Sequence, residues 1–287
     1  MRIGIVGAEN SHTIAIAKVL NLEKAVPGVE VTHVWGETAE AAAKASQEGS
    51  IAHVVAEPEQ MIGAVEAVAV DHRHAKHHLP AARPFVEAGM PVFVDKPFCI
   101  ELREGLELVR LAKAKKAPIT SFSVLPLQQS AHRFGEAMKG LGKLRSLVTT
   151  GPVEIDSQYG GVYFYGIHQV DLMLSLIEAR PLSVTTSRQG SDGVATISFD
   201  SGIFGVVHCL NGWRGDFLAT AYGQGGVHHA ALPFDQSMYL AGIRRFCAMF
   251  QTKVEPAPAS SYLKPVAVLA AMQQSFDTGK PVAVEQV

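Results

Sequence analysis

The sequence predicts an α/β protein: an N-terminal doubly wound parallel sheet, then a C-terminal α+β domain with a large, mostly antiparallel open sheet. Three observations predict it. From Arg2 to Phe122, short apolar runs alternate with helical stretches at the spacing of βαβ units. The first run ends in Gly7 and feeds a helix, the arrangement in which helix N-terminal amides meet a phosphate. After Ser123 short runs are divided by turn signals such as Gly190-Ser-Asp-Gly193 and Asp200-Ser-Gly202, as in antiparallel sheets.

Taken in order, Arg2–Val6 reads as a strand, Ser11–Leu22 as a helix, Val29–Trp35 as a strand and the alanine-rich Thr38–Gln47 as a helix. Ile51–Val55 and Ala67–Val70 are strands. A helical stretch from His74 to Ala88 follows, closed by Gly89 and broken or kinked by Pro80 and Pro84. Val92–Val94 is a strand, Glu101–Lys115 a helix with an acidic start and basic end, and Pro118–Phe122 the last strand of the series. Beyond it come a helix at Gln128–Met138 and strands at Leu144–Thr150, Pro181–Arg188, Gly193–Phe199, Gly202–Cys209, Phe217–Tyr222 and Gly226–Ala230. Helices at Gln236–Phe250 and Ser261–Asp277 and a strand at Pro281–Val284 end the chain. The domains are expected at 1–122 and 123–287.

Composition narrows the partners. The 287 residues are 47% hydrophobic and 18% charged with a net charge of −2, so no basic field exists to hold nucleic acid. No apolar run is long enough for a membrane span, and Met1–Gly7 enters a strand without the layout of a secretion signal. Cys99, Cys209 and Cys247 are odd in number and far apart, which suits free thiols in a reducing cytoplasm.

Two stretches carry chemistry. In Val92-Phe-Val-Asp-Lys-Pro-Phe98, Pro97 ends a buried strand and leaves Lys96 at its carboxyl end, the edge where open α/β sheets bind ligands. In the second, Gly160-Gly161 and Gly166 precede an amphipathic helix with His168 and Asp171 expected in its first turn; a histidine there suits proton transfer near neutrality. The turn Gly7-Ala-Glu-Asn-Ser-His12 retains only the first glycine of G-x-G-x-x-G, with Glu9 and His12 in the other two places and Asn10 or Ser11 as the helix cap. After the second strand Gly36 stands where a ribose-binding acid is usual and Glu37 follows; no arginine is near, which favours NAD over NADP. Asp71–His78 holds four histidines in eight residues, and His74 and His78 are spaced i, i+4. Arg73 and Lys76 oppose a cation there, so the expectation is cleft-lining histidines and no metal.

Together these residues resemble the glucose–fructose oxidoreductase / inositol dehydrogenase (Gfo/Idh/MocA) family. Asp95-Lys96-Pro97 is similar to its Glu-Lys-Pro, Glu87-Ala-Gly89 to its run-in, and Gly160–Asp171 to its glycine-rich segment and histidine helix. Ala221–Gly226 is similar to a strand–turn of its sheet, and Phe276–Val282 to its C-terminal helix exit. The resemblance implies a Rossmann domain, NAD or NADP as cofactor, and oxidation or reduction at a carbinol or carbonyl carbon of a sugar, polyol or related small molecule. It implies Lys96 and His168 as catalytic residues. Cofactor contacts are expected at Gly7, Glu9, Asn10, Ser11, His12, Glu37, Asp71, His72, Lys96 and Pro97, and substrate contacts at His74, Tyr163, Phe164 and Asp171. A homodimer or homotetramer through the C-terminal sheet is implied too. Phe164 replaces the family's aspartate four residues before the histidine and makes the site more apolar. Tyr163 and Tyr165, read as part of a strand, face away from Phe164. Two alternatives remain: a relative that has lost catalysis, and a metal-dependent enzyme using Asp71–His78.

Overall fold

In the computed structural model, which describes all 287 residues, the first apolar run forms β1 (Arg2–Val6), enclosed from Ile3 onward. Around it lie β2 (Glu30–Trp35), β3 (His53–Val54), β4 (Ala67–Val70), β5 (Val92–Val94) and β6 (Ile119–Thr120). All pairings in this sheet are parallel, in the order β3-β2-β1-β4-β5-β6. The order reverses between β1 and β4, so the ligand-binding crevice of such a sheet lies at their carboxyl ends. Alanine and β-branched residues fill β4, and all four are fully buried, as a strand covered on both faces requires.

The crossovers are α1 (Ser11–Ala17), which continues through a π-helical turn at Lys18–Leu22, α2 (Ala39–Gly49), α3 (His78–Glu87) and α4 (Leu102–Lys115). Thr38 caps α2 by accepting the Ala41 amide. The helix expected from His74 starts four residues later, because the His74 ring caps a short 3-10 turn at Ala75–His77 by accepting the Lys76 amide. Pro80 then falls in the first turn of α3, where an N–H has no intrahelical partner to lose.

The chain divides into two compact units, Met1–Phe122 with Tyr239–Ser261, and Ser123–Met238 with Tyr262–Val287. The sequence reading placed 239–261 in the second domain. Instead α7 (Leu240–Thr252) carries Ile243, Phe246, Cys247 and Phe250 at helical spacing into the first core, and Phe246 stacks on Phe93 at 4.6 Å. α7 begins at Leu240 rather than Gln236.

The second unit contains α5 (Gln129–Lys139), β7 (Leu144–Pro152), α6 (Tyr163–Leu176), β8 (Pro181–Gln189), β9 (Asp192–Phe199), β10 (Phe204–Leu210), β11 (Phe217–Gly223), β12 (Gly226–Leu232), α8 (Ser260–Thr278) and β13 (Val282–Ala283). Its sheet runs β12-β11-β7-β10-β9-β8-β13, antiparallel throughout except for β7 with β10. Leu147, Ala195, Val207, Ala219 and their alternates are buried. The other register is open: Phe204 is 56%, Tyr222 46% and Val194 38% exposed. No helix is long and apolar enough to cross a membrane.

Candidate active site

Three strand ends stand side by side at the carboxyl edge of the first sheet. The ladder runs one residue past each strand, with the Asp71 amide on Val6 O at 2.7 Å and the Asp95 amide on Val70 O at 2.8 Å. Gly7 has φ +108°, and a Cβ there would lie 2.7 Å from the Asp71 carbonyl carbon and 2.8 Å from the His72 nitrogen. Only glycine fits where β1 passes this close to the end of β4.

Asn10 and His12, the second of them in place of a fingerprint glycine, build a polar network here. Asn10 caps α1 by accepting the His12 amide at 3.4 Å, and its Nδ2 donates to Asp71 Oδ1 at 2.9 Å and Asp95 Oδ2 at 3.1 Å. His12 Nδ1 lies 3.2 Å and Lys96 Nζ 3.4 Å from the same Asp95 oxygen. Thr13 Oγ1 faces Gly7 O at 2.8 Å and Asp71 Oδ2 at 2.6 Å but has a single hydrogen. Both contacts are satisfied when Asp71 is protonated, donates to Thr13, and Thr13 donates to Gly7 O. Burial first, and the Asp95 charge second, push the Asp71 carboxyl well above the ordinary carboxylate range. Burial alone would raise Asp95 too, but the Lys96 ammonium and the His12 ring hold it well below that range. Two adjacent acids thus take opposite protonation states. Asp71 was expected among the cofactor contacts; its carboxyl is fully buried and bonded to Thr13 and Asn10, where it supports the turn.

Glu37 reaches back to this turn. Its Oε2 accepts the Ala8 amide at 2.7 Å and the Glu9 amide at 3.0 Å, while its Oε1 is buried without a partner. Gly36 leaves the usual acid position because a Cβ there would lie 2.8 Å from the Ala8 Cβ. The buried, unsatisfied Oε1 fits a hydroxyl donor such as a nucleotide ribose. Glu9 and Ser11 are exposed, so the Glu9 carboxylate turns to solvent. The His72 ring stacks on Trp35 at 5.8 Å, its Nδ1 is buried and unpartnered, and burial first and the His78 ring second pull its pKa down to about 4.

His74 and His78 are committed locally. His78 is buried, with Nδ1 2.8 Å from Pro97 O and Nε2 2.9 Å from His72 O; burial lowers its pKa against the pull of Asp95 and both carbonyls. It thereby ties Pro97, which follows a cis Lys96–Pro97 peptide, to His72 just past β4. With His74 capping a turn and His78 spent on carbonyls, the i, i+4 pair does not form a ligand set. His12, Asp71 and Asp95 bring ligand atoms within 4.8 Å of one another, but a cation there would meet the Lys96 ammonium and the Asn10 amide.

In the second unit α6 starts at Tyr163, so His168 lies in its second turn rather than its first. Tyr163–Tyr165 is helical, and the strand alternation expected of it does not apply. His168 is 7% exposed. Its Nδ1 lies 2.7 Å from Ser123 Oγ, which also accepts the Leu125 amide at 3.1 Å; the Ser123 amide donates to Asp171 Oδ2 at 2.8 Å. Asp171 therefore holds the segment that holds His168. A row of ring contacts passes through His168: Tyr159 to Phe164 at 4.9 Å, Phe164 to Tyr165 at 4.7 Å, Tyr165 to His168 at 6.0 Å and His168 to Phe217 at 5.7 Å. Tyr163 itself is buried. Sequence reasoning missed Thr13, Ser123 and the role of Asp95. The one available signal was that Asp71 and Asp95 each directly follow strands that pair in the sheet.

Residues 1–122 match the family model GFO_IDH_MocA, described as "Oxidoreductase family, NAD-binding Rossmann fold". This is a Gfo/Idh/MocA oxidoreductase domain. No curated protein matches the chain significantly. Among solved structures, GenD2 from gentamicin A biosynthesis, in complex with NAD, superimposes with a TM-score of 0.87 at 17% identity, covering 100% of this chain and 97% of that one. Myo-inositol 2-dehydrogenase from Lactobacillus plantarum gives 0.86 at 15%, covering 99% of each. Scyllo-inositol dehydrogenase from Lactobacillus casei, with NAD(H) and scyllo-inositol, gives 0.85 at 13%, again covering 99% of each. These likenesses extend the fold beyond the Gfo/Idh/MocA domain to the whole chain.

The opposite states of the two acids predict opposite substitutions. Asp71→Asn keeps a donor for Thr13 and removes a group that resists ionisation. Because the folded-state titration of Asp71 lies above its unfolded one, its contribution is present at low pH and lost as pH rises. Chemical denaturation should therefore show Asp71→Asn gaining on wild type between about pH 4 and pH 7. Asp95→Asn strips Lys96 of its partner and should cost about 3 kcal/mol or more at pH 7, as breaking a buried pair does. Its loss should shrink as pH falls, since a depressed carboxyl stabilises only while ionised. Equal effects of the two would contradict the assignment.

Proposed function

We propose that the protein is an NAD(H)-dependent oxidoreductase moving a hydride to or from a carbinol or carbonyl carbon of a sugar, polyol or related small molecule. The observation that carries this reading is Lys96, held beside a buried carboxylate at the carboxyl edge of an NAD-binding sheet. The nicotinamide, when bound, accepts or donates the hydride. Gly7 and the helix start after it would hold the pyrophosphate, and Glu37 Oε1 would take a ribose hydroxyl. A 2′-phosphate beside that carboxylate would be repelled, so NAD is preferred over NADP.

Lys96 donates to the substrate oxygen and stabilises the negative charge that grows there in the transition state. His168 moves the proton. Ser123 Oγ donates to a bare Nδ1 and accepts from a protonated one, so it serves either state of the ring. Phe164 and Tyr165 give the wall near His168 an apolar surface, which fits a substrate with one hydrophobic face better than a fully hydroxylated one. The structures of inositol dehydrogenases and of an antibiotic-pathway protein with NAD support this class of chemistry.

The open face of the second sheet is proposed to pair with a copy of itself. Across β12, β11, β7, β10 and β9 one row reads His229, Thr220, Val148, Val206 and Thr196, and another Tyr222, Ser146, Phe204 and Ser198 across β11 to β9. Neither row contains Asp, Glu, Lys or Arg, so a second copy meets no like charge.

Three outcomes test this function. Calorimetry should detect NADH, and Glu37→Ala should weaken it at least about tenfold and narrow or reverse the preference over NADPH, because the charge that repels a 2′-phosphate is gone; no binding at millimolar cofactor would remove the reading. On whichever member of a panel of polyols, sugars and hydroxy acids is turned over, Lys96→Met should lower kcat about 100-fold or more with little effect on KM. His168→Asn should cost about 100-fold, and near wild-type kcat in Lys96→Met would unseat the lysine. Light scattering at micromolar concentration should give a dimer or larger, and Val206→Glu should return a monomer.

A further inference from the structure

The residues that stand in place of fingerprint glycines differ in direction. Glu9 points to solvent, whereas His12 is half-buried and, with Asn10, turns towards the end of β5. Three donors from two separate elements converge there on one oxygen, Asp95 Oδ2: Asn10 Nδ2 at 3.1 Å, His12 Nδ1 at 3.2 Å and Lys96 Nζ at 3.4 Å. A lysine stem is flexible, and a carboxylate on the adjacent residue gives it direction only if that carboxylate is itself fixed. Asn10 and His12 supply the fixing. Asn10 is in turn held by the Asp71 Oδ1 contact and by its own cap of the His12 amide. The Asp95 side chain is 7% and the Lys96 side chain 12% exposed, so water competes little for either.

We propose that Asn10 and His12 are positioning residues for Lys96, acting through Asp95, so that the turn assigned to the cofactor also aims the lysine assigned to the substrate. The significance of this coupling rests on the oxidoreductase reading; its test does not.

The test is the rate at which acetic anhydride modifies Lys96 in the full-length, ligand-free protein at fixed pH, read by mass spectrometry. Asp95→Asn should raise that rate roughly tenfold or more, since the ammonium loses the charge that holds it. His12→Leu should raise it less, in the same direction. His12→Asn, whose amide stands where imidazole Nδ1 stood, should restore the wild-type rate. In the Asp95→Asn background His12→Leu should add nothing, because residues that act through one another are not additive. An undiminished effect of His12→Leu in that background, or a wild-type rate in His12→Leu alone, overturns the proposal. If His12→Leu does not fold, Asn10→Ser keeps a cap but deletes the amide donor, and the same cycle with Asp95→Asn decides. A protein that fails to bind NADH still reports on Lys96, so the two readings fail separately.

Discussion

A single carboxylate oxygen organises the edge of the first sheet. Asp95 Oδ2 gathers donors from the turn after β1 and from the residue after itself, while Asn10 ties it to Asp71 at the end of β4. Burying a charge is costly unless it is paired and hydrogen-bonded, and the surroundings of Asp95 meet that condition. Asp71, one strand away and fully buried, lies farther from the His12 ring, at 3.8 Å, and resolves the same problem by keeping its proton. The close approach at Gly7 brings the ends of β1 and β4 together, and the ladder of β4 with β5 sets Asp95 beside them.

Much of the fold was legible. The six strands of the first sheet and the strands of the second lie within a few residues of where apolar runs and turn signals placed them, since hydrophobic period and glycine or proline punctuation are local properties. The position of α7 was not legible. Its apolar stripe, Ile243, Phe246, Cys247 and Phe250, reads equally well against either core, and only the three-dimensional path decides which it covers. The shift of His168 to a second turn has a similar origin: the aromatic run Tyr163–Tyr165 has strand-like composition, but Gly160 and Gly161, both with positive φ, turn the chain into a helix before it.

The site was legible as residue types and not as a network. Lys96, Glu37 and His12 could be singled out from motif positions, but the sharing of Asp95 by three donors depends on strand order, which places β5 next to β4 and β4 next to β1. Ser123 carries no sequence signal for its contact with His168, since 45 residues separate them. Of the two departures from the glycine fingerprint, which read in sequence as losses, Glu9 turns to solvent and His12 makes one of the contacts that hold Asp95.

The return of α7 to the first unit bears on how the molecule is made. A chain emerging from the ribosome exposes residues 1–122 long before Tyr239–Ser261 exist, so the face of the first sheet that Phe246 and Phe250 cover stays wet while β7 to β12 are being synthesised. Loop closure over that distance is slow, and exposed apolar surface in the interval invites association. A protein cut at residue 122 would keep every strand of its nucleotide-binding sheet and still lack one wall of its core.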